Sequence, residues 1–265
     1  MNQTLFKKEI KHNFKIWLLF CAVLTLYTGM IISMFDPKLG KSLEMMRESM
    51  PEIFAAVGMS APGETLLDFM INYLFGFLYK VFPMVFFIFM INRVFIRYLD
   101  RGTMAYLLST SNSRKKIAIT QIATILILLG ALLVYVAILA IGVSESLFSG
   151  ELDIVKILLV IIGLFGLLFF LSGISYFSGC MFQDSGKAIG VGTGLNILFI
   201  LIQMISQVGE KFEFLKYFTP LTLFMPEKIA EGKSEGIYLF VILYLGGGLL
   251  YSMGVAIFNK KDLSL

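Results

Sequence analysis

Few residues in this chain have a type and spacing suited to chemistry. Gly40-Lys41-Ser42 and Gly232-Lys233-Ser234 repeat the end of a phosphate-binding loop, whose backbone N–H groups and lysine cradle phosphate oxygens. That loop requires a further glycine five residues earlier, where Phe35 and Glu227 stand instead. Leu171-Ser172-Gly173 has the start of a nucleotide-binding signature but stops there, inside an apolar run. His12 is the sole histidine. No Ser/His/Asp, Cys/His or paired-carboxylate set falls within the apolar runs, which leaves little acid–base chemistry to run. Cys21 and Cys180 both lie in apolar runs, so neither a structural disulfide nor a metal site is expected. The chain is therefore expected to bind no nucleotide, metal or cofactor and not to be an enzyme.

Composition says what must position the remaining polar residues. The 265 residues are 58% hydrophobic and only 15% charged, against about 25% in soluble domains, and the mean hydropathy is +0.85. One soluble core cannot hide that much apolar surface, and lipid can. The net charge of +4 does not point to nucleic acid, because the basic residues cluster beside apolar spans, which is a topology signal of membrane proteins.

Six apolar runs predict six transmembrane helices, at about residues 16–35, 70–96, 117–143, 157–182, 188–208 and 237–258, each near the ~20 residues that cross a bilayer. The first run is too long for the core of a signal peptide and no small-residue cleavage site follows it, so it is read as retained. Ahead of it, Phe6, Ile10, Phe14 and Trp17 recur at helical spacing opposite Lys7, Lys8, Lys11 and Lys15. That pattern predicts an N-terminal interfacial helix over residues 4–15, lying in the headgroup layer. With the termini placed in the cytoplasm, 13 Lys and Arg fall inside and 8 outside, while 4 acidic residues fall inside and 14 outside. The Lys/Arg bias orients the chain with both termini cytoplasmic. The expected fold class is all-α and polytopic, one transmembrane domain over residues 1–265.

Inside the spans, Gly186, Gly190 and Gly194 recur every fourth residue, a spacing that lets helix backbones approach closely. Ser172, Ser175, Ser178 and Gly179 give the fourth span a similar small, weakly polar face. Packing within one subunit is the first reading of these faces, with a translocation path or dimer seam as the alternative. Asn196, Gln203 and Gln207 on the fifth span are expected to hydrogen-bond between helices, or else to contact substrate. Lys80 is expected to snorkel to the outer boundary, with a polar interior position as its alternative.

The longest patterned polar break runs from Arg93 to Lys116 and holds six of the 22 Lys and Arg. It predicts a cytoplasmic loop with a short helix from Tyr98 to Ser109. Gly102 permits a tight bend, Leu107 and Leu108 form an apolar knob, and the arginines can pair with acidic rims on a partner.

Asp100-Arg101-Gly102-Thr103-Met104-Ala105-Tyr106-Leu107-Leu108-Ser109-Thr110, followed by Ser113-Arg114 and a span, resembles the type-2 permease family of ATP-binding-cassette (ABC) exporters. Lys8-Glu9 before the first span, Tyr217-Phe218-Thr219-Pro220-Leu221 after the fifth, and the closing Phe258, Lys261-Asp262-Leu263 are similar to that family too. Ser111-Asn112 replaces the proline usual in the turn. The resemblance implies an exporter of the bacterial cell membrane, with two permease subunits, identical or different, each seated on a separate ABC ATPase. ATP and Mg would bind the ATPase pair and not this chain. A cytoplasmic coupling helix would dock into the ATPase, which makes Asp100, Arg101, Gly102, Thr103, Tyr106, Leu107 and Leu108 the coupling residues. The Phe- and Met-rich interior favours hydrophobic or amphipathic cargo, such as a peptide toxin, antimicrobial peptide or drug. The alternatives are an ion-coupled carrier or channel, and a non-transporting membrane anchor for a soluble partner.

Overall fold

Each long apolar run folds as one helix, because a chain surrounded by lipid must satisfy its backbone N–H and C=O groups internally. The computed structural model describes residues 1–35, 45–59, 65–100, 104, 113–182 and 184–260. Among these residues there is no strand. Six helices are long and apolar enough to cross a membrane: α1 (Gln3–Ser33), α2 (Leu66–Leu99), α3 (Arg114–Leu147), α4 (Ile154–Met181), α5 (Ser185–Ser206) and α6 (Ser234–Lys260). Short polar side chains start most of them. Asn2, Thr65, Ser113, Asp153 and Asp184 each accept a hydrogen bond from a backbone N–H three residues on, satisfying a donor the helix cannot.

α2 is not uniform. It holds π-helical segments at Ile71–Leu78 and Asn92–Ile96, separated by the α-helical Tyr79–Ile91 with Pro83 inside it. The first π segment ends shortly before Pro83, whose ring crowds the carbonyl four residues back.

α4 is the hub of the bundle and packs against α6, α5, α2 and α3, while α1 lies against α3 and α2. Lipid tails are as apolar as leucine, so the association draws on close packing and polar contacts. Glycines on the α4–α6 seam bring those helices together. A Cβ at Gly173 would lie 3.3 Å from the Gly247 carbonyl oxygen, and one at Gly246 would lie 2.8 Å from the Phe170 ring. Each atom pair gained contributes only about 0.1–0.2 kcal/mol, so the seam's length carries the stabilisation.

The end opposite the termini is closed by chain that folds back onto the bundle. There the short helix Pro51–Ala56 leads into Gly58, at φ +78°. The Gly58 carbonyl oxygen sits 3.0 Å from where a Cβ of Gly76 would be. Between α5 and α6, the 3₁₀ segments Glu210–Phe218 and Pro220–Leu223 and the helix Pro226–Ala230 follow in turn. Leu221, Phe224 and Ile229 of this stretch are buried. A Cβ at Gly163 of α4 would clash with Ile229 Cδ1 at 2.7 Å.

Two expectations change. Residues 4–15 are not a separate interfacial helix, because they continue without a break into the first span as α1. Phe14 on their apolar face is 50% exposed, whereas Glu9 and Asn13 are buried. The stretch 209–236 is not simply a polar connection, since part of it enters the core.

Candidate functional site

Polar residues at the terminus-bearing end, several of them buried, form a clasp joining α1, α2 and α3. α1 supplies Glu9, His12 and Asn13, α2 supplies Arg93 and Tyr98, and α3 supplies Thr120 and Gln121. Glu9 is 2% exposed, and Asn13, Thr120 and Gln121 are fully buried. Burying such groups is tolerable only when they are hydrogen-bonded. Within α1, Asn13 Nδ2 donates to the Glu9 carbonyl at 2.9 Å and approaches Glu9 Oε2 at 3.4 Å. From α2, the Tyr98 hydroxyl donates to Glu9 Oε1. Arg93 Nε donates to Asn13 Oδ1 at 2.9 Å, and Arg93 Nη2 meets His12 Nε2 at 3.0 Å. From α3, Gln121 Nε2 donates to the Val94 carbonyl at 2.8 Å, inside the second π segment. Thr120 Oγ1 accepts from the Asn2 backbone N–H at 2.7 Å, which ties the start of α1 to α3.

The π turn explains how two α2 residues reach one α1 surface. Arg93 and Tyr98 are five apart, the spacing of one π-helical hydrogen bond. The clasp holds no arrangement of nucleophile and base; what it can do is transmit force between three helices. It lies directly before the central loop. Asp100 ends the helix Arg97–Asp100, and Met104 is 2% exposed within the core. Arg101, Gly102, Thr103, Tyr106, Leu107 and Leu108 lie outside the described residues.

A second polar seam joins α4, α5 and α6. Asn196 Nδ2 donates to Ser175 Oγ and to the Gly192 carbonyl, both at 2.8 Å. Ser178 Oγ donates to the Ala188 carbonyl at 2.9 Å, and the Tyr251 hydroxyl donates to Ser172 Oγ at 2.8 Å. The structure thus brings Ser172, Ser175 and Asn196 together as interhelical contacts. Gln203 sits apart from them, in the cleft around Lys80.

The glycine stripe is not packed as first read. Among the described residues, no atom outside the helix's own turn lies within 4 Å of a Cβ built on Gly190 or Gly194, and Gly186 meets only Asp184 Oδ1 at 3.2 Å. Gly192, two residues off the stripe, is the close-packed one: its Cβ would lie 3.0 Å from Ser175 Cα. The stripe therefore faces away from the other described residues.

Lys80 does not snorkel to an outer boundary. It is 9% exposed, and its Nζ lies 5.6 Å from the centre of the Phe224 ring. Sequence reasoning missed the burial of Glu9 and Asn13. Their spacing of four places both on one face of α1, and that face was read as solvated because of the lysines around it. No protein-family model and no curated protein matches this chain.

Proposed function

We propose that this chain is the membrane-spanning permease subunit of an ABC exporter, moving hydrophobic or amphipathic cargo out of a bacterial cell through its cytoplasmic membrane. ATP and Mg bind a separate ATPase pair, and two permeases, identical or different, stand side by side. Both termini and residues 101–112 face the cytoplasm. The observation that carries this reading is the clasp, which fastens the α2 end of the central loop to α1 and α3 through Glu9, Asn13, Arg93 and Tyr98. An ATPase that pushes the loop would move α2, and the clasp would pass that movement to α1. The exposed glycine stripe of α5 supports the seam reading over packing within one subunit, with the second permease as its occupant.

The carrier alternative needs ionisable groups along one path. Glu9 and Lys80 are the buried acidic and basic side chains among the described residues. Glu9 binds Tyr98, 18 residues along α2 from Lys80, so the two groups are roughly 27 Å apart at ~1.5 Å per residue. That separation disfavours an ion relay.

The deciding experiment is a detergent pull-down of the tagged chain, wild type beside Leu107→Asp/Leu108→Asp. An ATPase that accompanies the wild type and is lost from the variant supports the exporter. A well-folded wild type that brings down no ATPase removes it in favour of a carrier or an anchor.

A further inference from the structure

At the closed end of the bundle, α2, α5 and the folded-back segments enclose a cleft of about 250 Å³ counting its open mouth, lined by Lys80, Gln203, Gln207, Phe77, Met204 and Leu221. Its enclosed depth has room for one water-sized group. Lys80 is more than nine-tenths buried and has no hydrogen bond or ion pair among the described residues. The Phe224 ring faces the Lys80 ammonium at 5.6 Å, and such a contact recovers only part of what an ammonium loses on leaving water. Glu227 is close enough to act on Lys80 electrostatically but forms no ion pair with it. Gln203 Nε2 donates to the Gln207 side-chain oxygen at 3.1 Å, so that amide nitrogen is engaged within the protein, while Gln203 Oε1 is buried without a partner. The remaining walls are apolar.

A buried cation without a partner at the foot of an apolar trough asks for an anionic group carried on an apolar chain. We propose that this cleft binds the oxyanion head of an amphiphile, a phosphate or carboxylate on an alkyl chain. One anionic oxygen takes the enclosed position against Lys80 Nζ, and the chain runs out along Phe77 and Met204. The site depends on the bundle lying in a bilayer and not on its serving an ATPase, so it stands or falls separately from the exporter reading.

The test uses the full chain in a neutral maltoside detergent, with bound molecules counted by native mass spectrometry. Dodecyl phosphate, laurate and an anionic phospholipid are titrated alongside a dodecyl ammonium salt and inorganic phosphate. We expect one dodecyl phosphate per chain, bound at least about tenfold more weakly by Lys80→Met, as loss of a charged hydrogen bond implies. Lys80→Arg should bind it nearly as well as wild type. Glu227→Gln, which removes the competing carboxylate, should bind it several-fold more tightly, on the order of the effect of a nearby charge. A gain of binding cannot come from misfolding, so this variant keeps the test sound if Lys80→Met does not fold. Competition by laurate or the phospholipid then tells which amphiphile the cleft prefers. Equal binding by folded Lys80→Met, equal binding of the cationic amphiphile, or no gain in Glu227→Gln would overturn the proposal. Displacement by inorganic phosphate would replace it with a free-anion site.

Discussion

Arg93 and Tyr98, five residues apart on α2, grip residues four apart on α1: Arg93 binds Asn13 and Tyr98 binds Glu9. A π turn on one helix thus matches an α turn on the other.

The clasp gives the first prediction. Tyr98→Phe removes the donor that reaches Glu9 from α2 and leaves a buried carboxylate oxygen short of a partner. It should cost about 1–3 kcal/mol, read as a lower unfolding midpoint in detergent. Arg93→Lys should not rescue Arg93→Ala, because the guanidinium donates from two nitrogens in fixed geometry. Full rescue by lysine would mean that charge alone matters there.

Two glycines two residues apart make the second. Gly192→Leu should destabilise the α4–α5 contact by about 1–3 kcal/mol, the usual cost of overpacking, since its Cβ already meets backbone at Ser175. Gly190→Leu points into open space and should leave the monomer within about 0.5 kcal/mol of wild type. Thermal unfolding of the two variants side by side checks the contrast, and equal losses would contradict the placement of α5.

Asn196 and Ser175 supply a third, through a double-mutant cycle. Their hydrogen bond of 2.8 Å should show a coupling near 0.6 kcal/mol and no more than about 1.7, the range for such bonds between membrane helices. A coupling indistinguishable from zero would show that the contact carries no stability.

The contact between Gly58 and Gly76 provides the fourth. Gly58→Ala puts a Cβ at positive φ, costing roughly 1–2 kcal/mol, and Gly76→Leu drives a side chain into the Gly58 carbonyl. Both should loosen residues 51–59 from the bundle, seen as faster cleavage there in limited proteolysis. Unchanged cleavage in both would mean that the fold-back does not rely on this contact.

The long elements were legible in the sequence because lipid imposes a simple rule, and each apolar run became one helix that starts about a turn ahead of it, except the first, which reaches back to Gln3. Side-chain direction was less legible. The lysines around Glu9 and Asn13 made that face look solvated, yet Arg93 and Tyr98, distant in sequence, satisfy both residues. A glycine every fourth residue signals close approach without saying to what, so Gly190 and Gly194 were read as packed while Gly192 and the Gly246-Gly247 pair carry the packing. The π segments left no signal, since Ile71–Leu78 reads as ordinary apolar helix. Pro220 and Pro226 begin short helical turns that bury Leu221 and Ile229, a burial that the polar residues around them do not announce.

The two π segments of α2 also give that helix slack. If either tightened into α geometry, one residue would be released, turning the rod beyond it by about 100° and lengthening it by ~1.5 Å. Rotation and stroke would then be available to α2 without melting a single turn.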